Sequence, residues 1–282
     1  MKQDEHQFGF ILQSLFGMCL LSWSLSGTVL GTPNQLKWNH VLSVLNEVPS
    51  PEPSFYSHPV EEDLLSLYAK ELAQIKGQLP VAPQGESKKE KRERENRFIF
   101  EKISELNEKT FRSLQALTKG TKDYSKVAAQ VLTQVKRHSV ASLESTMKDP
   151  RGGEIGFCFG RALLIHYLLL HSGVSQKDIA KVFNVGQLLV GGQMWQFHVA
   201  VLLSDPQAGF LVVDPLQETP MPYSEWAEKN RLYEVKGRLS RSRFYVTAPR
   251  KFLASYGKYD LTQLEDPLLK SYFAKLLLTL PE

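Results

Sequence analysis

Cys158, His198 and Asp214 are residue types that, in combination, carry out nucleophilic acyl transfer. A thiolate attacks a carbonyl carbon, an imidazole takes and returns the proton, and a carboxylate fixes the imidazole's tautomer and orientation. Cys158 lies in Glu154-Ile-Gly-Phe-Cys158-Phe-Gly-Arg161-Ala, directly before the apolar run Leu163 to Leu170, where a loop enters a helix. The partial positive charge and free N–H groups of a helix start stabilise a thiolate. The Cys158 backbone N–H there is a candidate oxyanion donor, and Gly156 and Gly160 leave room beside the thiol for a substrate carbonyl. His198 falls in Trp195-Gln-Phe-His198-Val-Ala-Val-Leu-Leu203, and Asp214 ends Gly209-Phe-Leu-Val-Val-Asp214-Pro215, both of which read as strands. A helix followed by two strands would bring the three side chains together.

Each residue also has a purely structural reading. Free cysteine is among the most buried residue types. His198 would be a satisfied strand histidine between Phe197 and Val199, and Asp214 would end a strand at the Pro215 turn. His166 and His171 are the other imidazoles nearby, the first placed for packing on the Cys158 helix and the second at that helix's end. Arg161, one turn beyond Cys158, is either a helix-surface charge or an anion-holding group beside the site.

Composition narrows the classes. The 282 residues suffice for one large domain or two modest ones, and the net charge of +4, from 34 basic and 30 acidic residues, is too small and scattered for a nucleic-acid partner. There is no zinc-type Cys/His spacing, no phosphate-cradling glycine loop and no internal repeat, so no metal or other cofactor is expected. Phe8 to Gly31 contains no charged residue and reads as an export signal over residues 1–31, or alternatively as an uncleaved membrane anchor. One of the two cysteines, Cys19, lies inside it, so cleavage would leave Cys158 alone.

The elements that must position these residues follow from pattern. Pro33 to Pro59, with a short amphipathic piece at Leu36 to Leu45, reads as a turn-rich linker. Val60 to Gly77 has helical apolar spacing opened by Glu61, Glu62 and Asp63. The charged segment 85–97 is a solvated linker or helix start, or else an exposed processing site. Thr110 to Leu117 and Tyr124 to Met147 predict helices, the latter with a stripe of Val127, Val131, Leu132, Val135 and Val140. Gly173 is placed to cap the Cys158 helix. Ile179 to Val190 predicts a strand, Tyr223 to Asn230 a short helix, Arg243 to Thr247 a strand, and Pro267 to Leu280 a closing helix with Asp266 as its cap. Helices first and a small antiparallel sheet second is an α+β arrangement.

Taken together, Cys158-Phe-Gly-Arg161-Ala162, Trp195-Gln-Phe-His198-Val-Ala-Val and Val212-Val-Asp214-Pro215 closely resemble the protein-glutamine glutaminases, or protein deamidases. The resemblance spans roughly residues 153–216. It implies a papain- and transglutaminase-like core, with the cysteine helix packed on the sheet that bears His198 and Asp214, in a catalytic region 118–282. It implies hydrolysis of glutamine side chains in proteins or peptides to glutamate and ammonia through a thioester on Cys158. His198 is then the general base and acid, Asp214 its orienter, and Trp195 a wall of the acyl pocket. It further implies secreted or periplasmic location, membrane association only if the N-terminal segment is uncleaved, and an intramolecular inhibitory pro-region within the mainly helical residues 32–117. Transglutamination or peptide cleavage on the same triad, and a non-catalytic envelope-associated binding module with Cys158 in its core, are the alternatives.

Overall fold

The apolar stripes of this chain fold into a mixed helix and antiparallel-sheet, α+β, architecture. A computed structural model describes residues 33–50, 53, 55–117, 122–144, 157–235, 241–255, 257–260 and 269–281. In chain order the elements are α1 (Pro33–Leu45), α2 (Leu64–Gly77), α3 (Lys88–Leu117), α4 (Ser125–Lys136), α5 (Cys158–His171), β1 (Ile179–Val190), β2 (Gln193–Asp205), β3 (Gly209–Val213), β4 (Met221–Pro222), α6 (Tyr223–Arg231), β5 (Arg243–Thr247) and α7 (Lys270–Thr279). The strands form one antiparallel sheet in the order β4-β3-β2-β1-β5. Side-chain alternation divides it between two cores. Val199, Val201 and Leu203 of β2 join the larger apolar cluster with α5, whereas Ala200 and Leu202 join Trp226 of α6 in the smaller one.

Strand β1 runs over the residues its pattern predicts, and β1 and β2 meet through a Gly191-Gly192 turn, both glycines at positive φ. The Asp63 carboxylate accepts from the N–H groups of Leu65 and Ser66 at 2.9 and 3.1 Å, which fixes the start of α2. At the start of α3, Ser87 and Glu90 satisfy each other's backbone N–H groups, at 2.9 and 3.3 Å. That reciprocal cap makes the charged run a helix start. Helix α4 ends at Lys136, well before Met147, because the His138 ring accepts from the N–H groups of Val140 and Ala141, both at 3.1 Å. This side chain offers the backbone an alternative to another helical turn.

The expectation of a linker over Pro33 to Pro59 is corrected. Trp38, Val41, Leu42 and Leu45 of α1 are buried in the larger core, and the Trp38 ring lies 6.1 Å from that of Phe273 in α7. The Ser57 N–H donates to the Val246 carbonyl at 3.1 Å and His58 bridges to Thr247, so this segment lies along the outer edge of β5. Asn107 of α3 covers the same edge, accepting from the Phe244 N–H at 2.9 Å and donating to the Ser242 carbonyl at 3.1 Å. An otherwise open sheet edge is thereby closed by residues from the N-terminal region.

Pro33 to Glu282 accordingly belongs to one compact unit, and residue 117 marks no boundary between two cores. The expected signal over residues 1–31, the Asp266 cap and the beginning of the closing helix lie outside the described residues. Among the described residues no helix is long and apolar enough to cross a membrane.

Candidate active site

Cys158 is the first residue of α5, preceded by Phe157 in the left-handed region at φ 62° and ψ 33°. Phe157 is the one described non-glycine residue at positive φ, a conformation that costs about 1–2 kcal/mol for an L-residue. Its ring stacks on Tyr272 of α7 at 4.2 Å between centroids, and packing of this kind holds the strained turn. Gly160 does not leave room for substrate, contrary to expectation. A Cβ there would fall 2.4 Å from Cε1 and 2.7 Å from the hydroxyl of Tyr272, so the space belongs to that ring. Cys158 itself is 7% exposed and unpaired with any other cysteine.

His198 and Asp214 meet because β2 and β3 pair, with Val201 opposite Val213. The imidazole Nε2 donates to Asp214 Oδ2 at 2.8 Å, and both side chains are almost completely buried. Asp214 is held further by the indole N–H of Trp226, which donates to Oδ2 at 2.7 Å, and by the Leu216 N–H, which donates to Oδ1 at 3.0 Å. The Trp226 ring also stacks beside His198 at 6.2 Å. The remaining imidazole nitrogen, Nδ1, is buried and makes no hydrogen bond of good geometry among the described residues. Cys158 nevertheless lies close enough for a thiolate to stabilise the imidazolium electrostatically. With Nε2 taken by the carboxylate, Nδ1 is the nitrogen left to exchange a proton with the thiol.

Burial by itself would depress the His198 pKa, but the charge and hydrogen bond of Asp214, reinforced by Cys158, outweigh it and raise the value to about 9. Burial would raise the Asp214 pKa, yet His198, the indole and the Leu216 N–H hold it below the ordinary carboxylate value. The two therefore face each other as an ion pair near neutrality. His166 belongs elsewhere: it is fully buried, hydrogen-bonded to Gln176 Oε1 at 2.8 Å, and depressed to about 3 chiefly by burial. His171 is exposed at the helix end.

Of the other candidates, Trp195 is half-buried with its ring 5.6 Å from that of His198, whereas Gly156 lies outside the described residues. Arg161 is 5% exposed, which corrects the reading of a helix-surface charge. Trp226 and Tyr272 were not singled out by sequence. For Trp226 the available signal was an indole on an otherwise mostly polar helix, while nothing local links Tyr272 to Cys158. Among the described residues no group of three or more His, Cys, Asp and Glu side chains could hold a metal ion. Neither protein-family models, nor curated proteins, nor solved structures gave a match to this chain.

Proposed function

We propose that this chain is a cysteine-dependent amide hydrolase with a papain- and transglutaminase-like core, acting as a protein-glutamine deamidase. The observation that carries the reading is the alignment of groups around His198: carboxylate on Nε2 at 2.8 Å and Cys158 within electrostatic reach of the ring. The resemblance of the three motifs to protein-glutamine glutaminases supplies the substrate class, and export or N-terminal anchoring belongs to the same proposal.

In the proposed reaction the Cys158 thiolate attacks the carboxamide carbon of a glutamine side chain, and the C=O electron pair moves onto oxygen. The oxyanion is met by N–H groups of the first turn of α5, which the Phe157 side chain does not cap. Collapse breaks the C–N bond as the His198 imidazolium gives its proton to the leaving nitrogen, releasing ammonia and leaving a thioester. The neutral imidazole then takes a proton from water, the hydroxide adds to the thioester, and the C–S bond breaks to give glutamate and thiolate. Asp214 stabilises the imidazolium at each stage, and Trp195 flanks the acyl group.

The test is ammonia release from a glutamine-rich protein by the wild type and by Cys158→Ala. Equal release, or none from either, would discard the reading. Mass spectrometry of the treated protein separates deamidation from crosslinks and from new termini. The thiol's burial favours one second reading, a non-catalytic binding module with Cys158 as core. Failure of iodoacetamide to label Cys158 in the native protein would select it.

A further inference from the structure

Arg161 and Tyr272 present an unusual combination beside Cys158. The guanidinium is permanently charged, the residue is 5% exposed, and its Nη2 is buried with no hydrogen-bond partner among the described residues. No described carboxylate pairs with it. Tyr272 is 1% exposed, and its hydroxyl, lodged against Gly160 on the first turn of α5, is likewise buried without a partner. The two groups are near enough to interact electrostatically, and Tyr272 also senses Cys158. Side chains on a helix slant toward its N-terminus, which for Arg161 is the direction of the turn that holds Phe157 and Cys158. A cation removed from water without a counter-charge is costly, as is a phenol without a partner. Here both occur at the first turn of α5, Arg161 on it and Tyr272 packed against its Gly160.

We infer that Arg161 and Tyr272 form a carboxylate subsite adjoining Cys158, and that the acyl substrate carries an anionic group close to its scissile amide. The substrate part of this inference rests on the hydrolase reading; the binding part does not. A carboxylate offers two oxygens to the planar guanidinium fork and a further lone pair to the phenol, satisfying donors that are otherwise orphaned. Residues one turn apart on a helix have Cβ atoms about 5–6 Å apart, so an anion held by Arg161 lies within a side chain's length of the thiol. In a peptide, two sources fit that spacing. One is the α-carboxylate of a C-terminal glutamine, only a few bonds from its side-chain carbonyl. The other is the side chain of an acidic residue next to the glutamine.

The full chain with Cys19→Ser leaves Cys158 as its single thiol, and its alkylation by iodoacetate and by iodoacetamide is followed by mass spectrometry at neutral pH. The subsite is expected to favour the anionic reagent, so Arg161→Met should lower the iodoacetate-to-iodoacetamide rate ratio about tenfold or more. Tyr272→Phe, which keeps the ring and its packing, should lower it several-fold. An unchanged ratio in both variants overturns the inference. So does an equal fall with both reagents, which would mean that Arg161 serves the thiolate. Failure of both reagents on the unsubstituted parent would overturn it as well. Ammonia release is then compared for a peptide ending in glutamine with a free carboxylate, the same peptide amidated, and an amidated peptide with aspartate beside the glutamine. Preference for the first identifies the α-carboxylate, and preference for the third the acidic neighbour. A reagent preference with no ammonia from any peptide keeps the subsite and discards the deamidase reading. Equal ammonia from all three with a flat reagent ratio does the reverse.

Discussion

The indole N–H of Trp226 and the Asp214 carboxylate are 2.7 Å apart, on the oxygen that also accepts from His198. The Asp214 carboxylate is thus fixed from the α6 side while it holds the imidazole. Trp226→Phe retains most of the ring and deletes this donor, leaving a buried anion short of one partner. Hydrogen bonds to charged groups contribute about 1.5–3 kcal/mol, and a loss of that size in urea unfolding is expected, with a lower turnover in the deamidation assay. Unchanged stability and turnover would show that the indole merely fills space.

The ion pair sets a pH window. His198 is raised from 6.5 to about 9 on folding, so its contribution to stability is complete below pH 6.5 and is lost as pH rises through about 9. Asp214 is lowered, so its contribution is present above its ordinary value near 3.8 and is lost as pH falls through the lower folded value. If the imidazolium is the proton donor to the leaving nitrogen, kcat/KM should fall above about pH 9. Asp214→Asn should move that alkaline limb to lower pH and reduce kcat by roughly a hundredfold or more. A limb that stays in place would assign it to another group.

Gly160 and Tyr272 are coupled by space. Gly160→Ala puts a methyl 2.4 Å from the Tyr272 ring, and overpacking of this kind costs about 1–3 kcal/mol. The loss should be smaller when Tyr272 is first shortened to leucine, a non-additivity measurable by a double-mutant cycle in urea. Additive losses would place the strain elsewhere.

Residues 33–117 share the core with the residues of the candidate site, which bears on the idea of a removable pro-region. Trp38 is 2% exposed, and Trp38→Ala should cost about 3–5 kcal/mol. Cleavage near Lys88 to Arg97 followed by removal of the N-terminal fragment should abolish cooperative unfolding along with activity. Retained folding with increased ammonia release would restore the pro-region reading.

A sheet edge is another dependence on that region. Asn107→Ala would leave the buried Phe244 N–H and the Arg243 guanidinium each without an acceptor that now lies at 2.9 and 3.1 Å. A loss of about 1–3 kcal/mol is expected, with faster hydrogen exchange at Phe244 as the local signature. Protection at Phe244 equal to that in the wild type would refute it.

The sequence by itself determined what short-range rules govern. Apolar runs placed β1, and the helix start at Cys158 followed from the loop before an unbroken apolar run, whereas the helix expected from Val60 begins at Leu64 with Asp63 as its cap. The meeting of His198 and Asp214 was legible as well, because consecutive antiparallel strands pair. The reciprocal cap at Ser87 and Glu90 was present in the sequence too, but a run of charges masks it when only apolar periodicity is followed. Tertiary structure alone decided which residues from distant segments stand around the thiol. Tyr272 reaches Gly160 from the closing helix, Trp226 reaches Asp214 from α6, and α1 enters the core although its pattern resembles a linker. The physical reason is that such contacts depend on the volume and unpaired donors left over after helices and sheet pack. Those quantities belong to no local segment, so Arg161, which the sequence leaves open between a surface charge and an anion-holding group, is decided by the fold to be a buried cation with no paired carboxylate among the described residues.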